Sequence, residues 1–147
     1  IWQAVTTQGV HGMPFGTRVQ FNVADLADLA EATARVIVES APGAARPGAH
    51  LFATYELAGP EALSQEDMAR TLTDVLGRPV VARAVPLEEM RAKARTAGLG
   101  DDRIEQMTVM NHHYDLHGMR GNPNVLRMLL GREPTTYRQY VERLARR

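Results

Sequence analysis

Residues 9–16 read Gly9-Val10-His11-Gly12-Met13-Pro14-Phe15-Gly16 (GVHGMPFG), and the order of elements around them decides what kind of chain this is. Glycines at 9, 12 and 16 resemble the loop that cradles a dinucleotide pyrophosphate. Such a loop works only after a strand and before a helix, whose N-terminus then faces the phosphates. Here the flanks are reversed. IWQAVTTQ (1–8), apolar at 1, 2, 4 and 5, predicts the end of an amphipathic helix stopped by Gly9. RVQFNV (18–23) alternates polar and apolar residues and predicts a strand. Pro14 has no N–H to offer a phosphate, and Asp25 opens a helix instead of closing a strand where ribose hydroxyls would be held. The stretch is expected as a mobile loop joining helix to strand, with Met13, Pro14 and Phe15 free to line a pocket. No dinucleotide is expected to bind this chain alone.

Further elements follow from capping and periodicity. Asp25 caps a predicted helix of about 14 residues with Leu26, Leu29, Ala30 and Ile37 on one face. SAPGAARPGA (40–49) is a loop too short to link domains, and HLFATYEL (50–57) predicts a second strand. Ser64 and Asp67 form a capping box before a helix with Met68, Leu72, Val75 and Leu76 inward, ended by Gly77. Residues 79–85 predict a third strand, and Pro86 starts a helix with Leu87, Met90 and Ala94 inward that ends near Gly98. From Asp101 a long helix places Ile104, Met107, Met110 and Tyr114 on one face until Gly118 and Gly121 interrupt it. A short apolar helix at 124–130 ends at Gly131. Thr135 or Thr136 caps the last helix, striped by Tyr137, Tyr140, Val141 and Leu144. Three short strands and about six helices make an α/β chain, read as one region over residues 1–147.

Composition removes several function classes. Lys plus Arg and Asp plus Glu each number 17, so the basic excess expected of a nucleic-acid binder is missing. Cysteine is absent, which excludes disulfides and thiolate metal sites. No apolar run approaches the roughly 20 residues of a membrane span, and a cytoplasmic location is expected. Arg143, Arg146 and Arg147 read as the dipole-complementing end of the last helix. The chain opens at Ile1 inside a helical pattern, so an upstream part is expected to be missing.

His112, His113 and His117 with Asp115 (HHYDLH) carry the most suggestive chemistry. His113 and His117 are spaced i,i+4, as metal-binding pairs are, yet Tyr114 stands where a metalloprotease helix needs glutamate. A third ligand would be Asp115 or His50, and no metal is expected. A neutral histidine or Tyr114 can instead hydrogen-bond a carbonyl substrate in a pocket lined by Met107 and Met110. The plainer alternative makes Tyr114 and the methionines core, with the histidines half-exposed. Asp25 is better explained as a helix cap than as a catalytic acid. Arg132, in Gly-Arg-Glu-Pro (131–134), is expected to pack on a neighbouring carboxylate.

In order, RVQFNVADLADLAEA, YELAGPEALSQEDMARTLTDVLGRPV, VPLEEMRAKARTAGL, YDLHGMRG and LLGREPTTYRQYV resemble the C-terminal half of the NmrA-like family, atypical short-chain dehydrogenases/reductases. The resemblance implies the C-terminal, substrate-side part of an NAD(P)-binding Rossmann-type protein. Such a protein holds NADP or NAD in an N-terminal half that has no counterpart here. It implies either a reductase of quinones, dyes or other small carbonyl compounds, or a redox sensor without turnover. Tyr114, Asp115, Gly118 and Gly121 match the family's late helix and turn beside the substrate cleft. The expected partners are a small-molecule substrate and either the missing Rossmann half or a second copy, with neither nucleic acid nor membrane. The candidate pocket residues are therefore Tyr114, His113, His117, Met110, Met107, Phe15 and Pro14.

Overall fold

Caps and glycines set most element ends in the structure, a computed structural model that describes residues 1–146. Helix α1 (Trp2–Gln8) stops at Gly9, whose φ of 66° is the left-handed conformation that a residue without Cβ adopts at little cost. The expected loop beyond it is partly a strand. β1 (Val10–Met13) pairs in parallel with β2 (Val81–Ala84), Val10 opposite Val81 and Met13 opposite Ala84. Gly12 thus lies within the strand, and the first helix to follow is α2 (Leu26–Ser40), so the three glycines do not lead into a helix N-terminus.

Among the described residues the chain forms seven helices and two strands, grouped in two units. The first unit comprises Ile1–Phe21 and Leu63–Met119. Its helix α3 (Gln65–Leu76) begins with the expected capping box: Ser64 Oγ accepts from Asp67 N at 3.2 Å, and the Asp67 carboxylate accepts from Ser64 N at 2.9 Å. Met68, Ala69 and Leu72 go inside. Helix α4 (Leu87–Thr96) buries Met90 and Ala94, as its periodicity predicts. Helix α5 (Asp101–His117) is rotated from its expected face. Ile104 and Asn111 are buried while Met110 is exposed. The Asn111 amide tolerates burial because its Nδ2 donates to Met107 O at 2.7 Å, the carbonyl one turn back.

The second unit comprises Asn22–Ala62 and the chain from Arg120 onward. Asp25 caps α2 by accepting from Ala27 N at 2.9 Å. Ala32, Leu126 and Leu130 form the centre, with α6 (Asn124–Leu130) supplying the leucines and α7 (Tyr137–Ala145) adding Val141. The inward face of α2 again differs from the apolar stripe. Leu26 and Ile37 are exposed, and Asp28 is inside at 1% exposure. That carboxylate accepts from Arg132 Nη2 at 2.8 Å, Thr135 N at 2.6 Å and Thr135 Oγ1 at 3.1 Å, which offsets its desolvation. Arg132 therefore packs on carboxylates as expected, since it also donates to Glu31. Arg143 reaches the buried Asp25 at 2.6 Å, so it does more than complement a helix dipole. Thr136 is the residue that caps α7.

Two expected strands do not form. Residues 18–23 contribute only single bridges, Phe21 to Leu63 and Phe21 to Met119. In residues 50–57, turns run through Phe52, whose φ is +61°, and residues 53–59 lie in no strand. A period-two pattern specifies two faces, but a strand also needs a neighbour to take up its N–H and C=O groups.

Candidate functional site

In open parallel sheets, ligands bind beyond the carboxyl ends of the strands. In the first unit that edge is the segment after Met13 and the turn after Ala84. The two are tied by Val85 N donating to Met13 O at 2.9 Å. The segment is held in place. Gln65, buried at the start of α3, accepts from Met13 N at 3.0 Å and donates from Nε2 to Phe15 O at 2.7 Å. From α5, Asp115 Oδ1 accepts from Gly16 N at 2.6 Å. Thr17 Oγ1 adds a bond to Glu66 at 2.8 Å. A Cβ on Gly16 would lie 3.1 Å from that Asp115 oxygen, so glycine admits the close approach.

Of the expected residues, this geometry brings Phe15 and Tyr114 into contact. Phe15 turns inward, 6% exposed, with its ring 4.4 Å from Phe21 and 6.3 Å edge-on from Tyr114. Tyr114 also meets Phe21 edge-on at 5.6 Å. Such pairs align the positive ring edge with the negative ring face, which fixes the tyrosine's orientation. Pro14, half-buried, lies between Met13 and this cluster in sequence. His113 lies 6.4 Å from Tyr114 and 4.7 Å from His117, centroid to centroid, and both histidines are exposed. Met107 is half-buried along α5. Met110 lines an open groove on the outer face of the same helix with Asp102, Glu105, Gln106, Val109 and His113.

Sequence reasoning missed Gln65 and Phe21. Gln65 was hidden because a polar residue beside an N-cap looks solvent-facing, and Phe21 because its stretch read as a strand. His50 belongs to the second unit, where Nδ1 meets Tyr55 Oη at 2.7 Å and Nε2 meets Glu39 at 3.0 Å. Among the described residues no three His, Asp or Glu side chains are arranged to hold a metal ion. Chemically the edge offers an apolar surface with one phenol ring beside it. Gly9, Gly12 and Gly16 do not form one loop leading into a helix. Gly9 is a helix cap, Gly12 a strand residue and Gly16 a carboxylate-bound turn.

No family model matches the chain, and no curated protein matches it significantly. Solved structures do. An NADPH-dependent quinone oxidoreductase from Escherichia coli, solved with NADPH, superposes with a TM-score of 0.74 at 26% identity over 97% of this chain. A triphenylmethane reductase from Citrobacter sp. gives 0.72 at 22% identity over 99% of the chain. A nucleoside-diphosphate-sugar epimerase from Staphylococcus aureus gives 0.69 at 17% over 95%. The chain spans about half the length of each, 47%, 47% and 46%. It therefore has the mixed α/β fold of NAD(P)-binding, short-chain-dehydrogenase-like proteins of the NmrA-like type, over about half of their length.

Proposed function

We propose that this chain is the substrate-side half of an NAD(P)H-dependent oxidoreductase acting on a small carbonyl, quinone or related compound. The observation that supports the reading is the packing of Phe15, just beyond the carboxyl end of β1, against Tyr114. That edge belongs to a chain similar to a quinone oxidoreductase along 97% of its own length. In this reading Tyr114 or a neutral His113 or His117 donates a hydrogen bond to the substrate carbonyl. Pro14 and Met107 supply apolar contact, and Phe15 backs the wall. The dinucleotide is held by residues outside this chain, and the protein works in the cytoplasm.

Two features of the second unit support an absent neighbour. Leu26 (79% exposed), Ile37, Val38, Leu51 and Phe52 present apolar side chains to solvent. The strand-patterned residues 53–57 lie in no ladder. The same features favour a second reading, a non-catalytic NAD(P)H-sensing module that associates with itself through unpaired backbone.

The test is NADPH titration of the chain alone, then NADPH consumption with a quinone when a dinucleotide-binding half is supplied. The expected result is no saturable binding by the chain alone, and quinone-dependent turnover only in the combination. Saturable binding by the chain alone would sink the half-protein reading. Binding without turnover in the combination, with concentration-dependent light scattering, would select the sensing module.

A further inference from the structure

We propose that Gln65 and Asp115 are positioning residues that hold residues 13–16 as a fixed wall of the substrate site. This assignment rests on the reading of the carboxyl edge as that site. The segment contains no regular structure after Met13, so its backbone polar groups need partners from elsewhere. Gln65 supplies them from both ends of one side chain. Its oxygen accepts from Met13 N at 3.0 Å, and its Nε2 donates to Phe15 O at 2.7 Å with a longer approach to Gly16 O at 3.4 Å. At 1% exposure, a carboxamide with neither partner would be strongly disfavoured, so the side chain has one orientation and the segment one path.

An apolar residue of similar length at position 65 would fill the same space without burying an amide. What the amide adds is a fixed backbone. Asp115 fixes the far end, accepting from Gly16 N at 2.6 Å, a short bond of the kind a charged acceptor makes. Because Asp115 follows Tyr114, one turn of α5 grips the segment's backbone and also sets a ring 6.3 Å from Phe15. The wall and the phenol that faces a carbonyl are thereby placed together, and substrate binding meets a surface already in position. With Phe15 turned inward, Met13 and Pro14 are left part-exposed, an apolar surface suited to a flat ring such as a quinone's.

The experiment uses the purified protein, menadione as the probe, equilibrium dialysis for its Kd, and amide exchange at Met13 and Gly16. Asp115→Ala removes one acceptor from an exposed position, so it leaves the fold intact, whereas Asp115→Asn keeps an acceptor oxygen. Gln65→Leu removes both bonds of the other clamp. Asp115→Ala and Gln65→Leu are each expected to speed exchange at the released amide and to raise the menadione Kd about tenfold. Asp115→Asn is expected to restore both readouts to within about twofold. Faster exchange with an unchanged Kd overturns this assignment alone, as does unchanged exchange in both variants. Failure of the unaltered protein to bind menadione overturns the substrate reading and the assignment with it.

Discussion

Each unit buries one polar side chain to similar depth and surrounds it in the opposite way. In the first, His11 on β1 is 4% exposed, and neither ring nitrogen has a hydrogen-bond partner among the described residues. In the second, Asp28 is 1% exposed and is bonded by Arg132 and twice by Thr135. A buried polar group costs most when its partners are missing, so His11 weakens its unit while Asp28 cross-links its own. The first unit thus depends on apolar packing around Leu72, Ile104 and Val5. The second joins a small apolar centre to charged ties between α2 and the chain after α6. Burial by itself does not say whether a polar residue helps.

The largest effect that sharpens this contrast is Leu72→Ala. The side chain is 1% exposed in the first unit, and truncation is expected to cost about 3–4 kcal/mol in urea unfolding, independent of salt and pH. A cost below about 1 kcal/mol would show that apolar packing does not dominate there.

Next comes Asp28→Ala, expected to cost about 2–3 kcal/mol because Thr135 N and Arg132 lose a charged acceptor. Burial raises the Asp28 pKa, but the bonds from Thr135 and Arg132 outweigh it and hold the folded value below 3.8. A depressed carboxylate contributes its stability above the unfolded value and loses it as pH falls through the folded one. The Asp28 contribution is therefore complete at neutral pH and disappears below about pH 4. Unfolding curves for Asp28→Ala and the unaltered chain should converge as pH falls below 3.8. Parallel curves down to acid would break the contrast.

The smallest effect is at His11. Burial lowers its pKa from 6.5. The unfolded state then binds the proton more readily, so stability is full above 6.5 and falls as pH drops through the depressed value. His11→Leu is expected to add about 1 kcal/mol at neutral pH by removing an unbonded polar ring, and more near pH 5. A variant as acid-sensitive as the parent near pH 5 would show that His11 is bonded in solution. The histidine response thus sets in below 6.5 and the aspartate response below 3.8.

Local signals read well from sequence wherever the physics is local. Gly9, Gly77 and Gly131 stop helices with left-handed φ, and Ser64–Asp67 caps α3 through four consecutive residues. Faces were less legible. Of the α2 stripe Leu26, Leu29, Ala30 and Ile37, only Leu29 packs against the core, and Met110 on α5 is exposed, because residue type alone does not fix which face turns inward. Asp28 and Asn111 took the inside because distant or adjacent groups satisfied them. The candidate site was half legible. Phe15 and Tyr114 stood out as aromatics, and nothing in the spacing of residues 65 and 115 showed that both hold one segment.

The sequence by itself determined where helices begin and end, the absence of thiolate chemistry, and a likeness of pattern to NAD(P)-dependent reductases. Those properties depend on residue type and on neighbours within about four positions. Only the tertiary structure decided that Val10–Met13 is a strand while residues 50–57 are not. The reason is that a ladder needs a partner, and Val81–Ala84, far along the chain, is β1's. It also decided that Gln65 and Asp115 meet residues 13–16, contacts separated by 52 and 99 positions that no local rule contains.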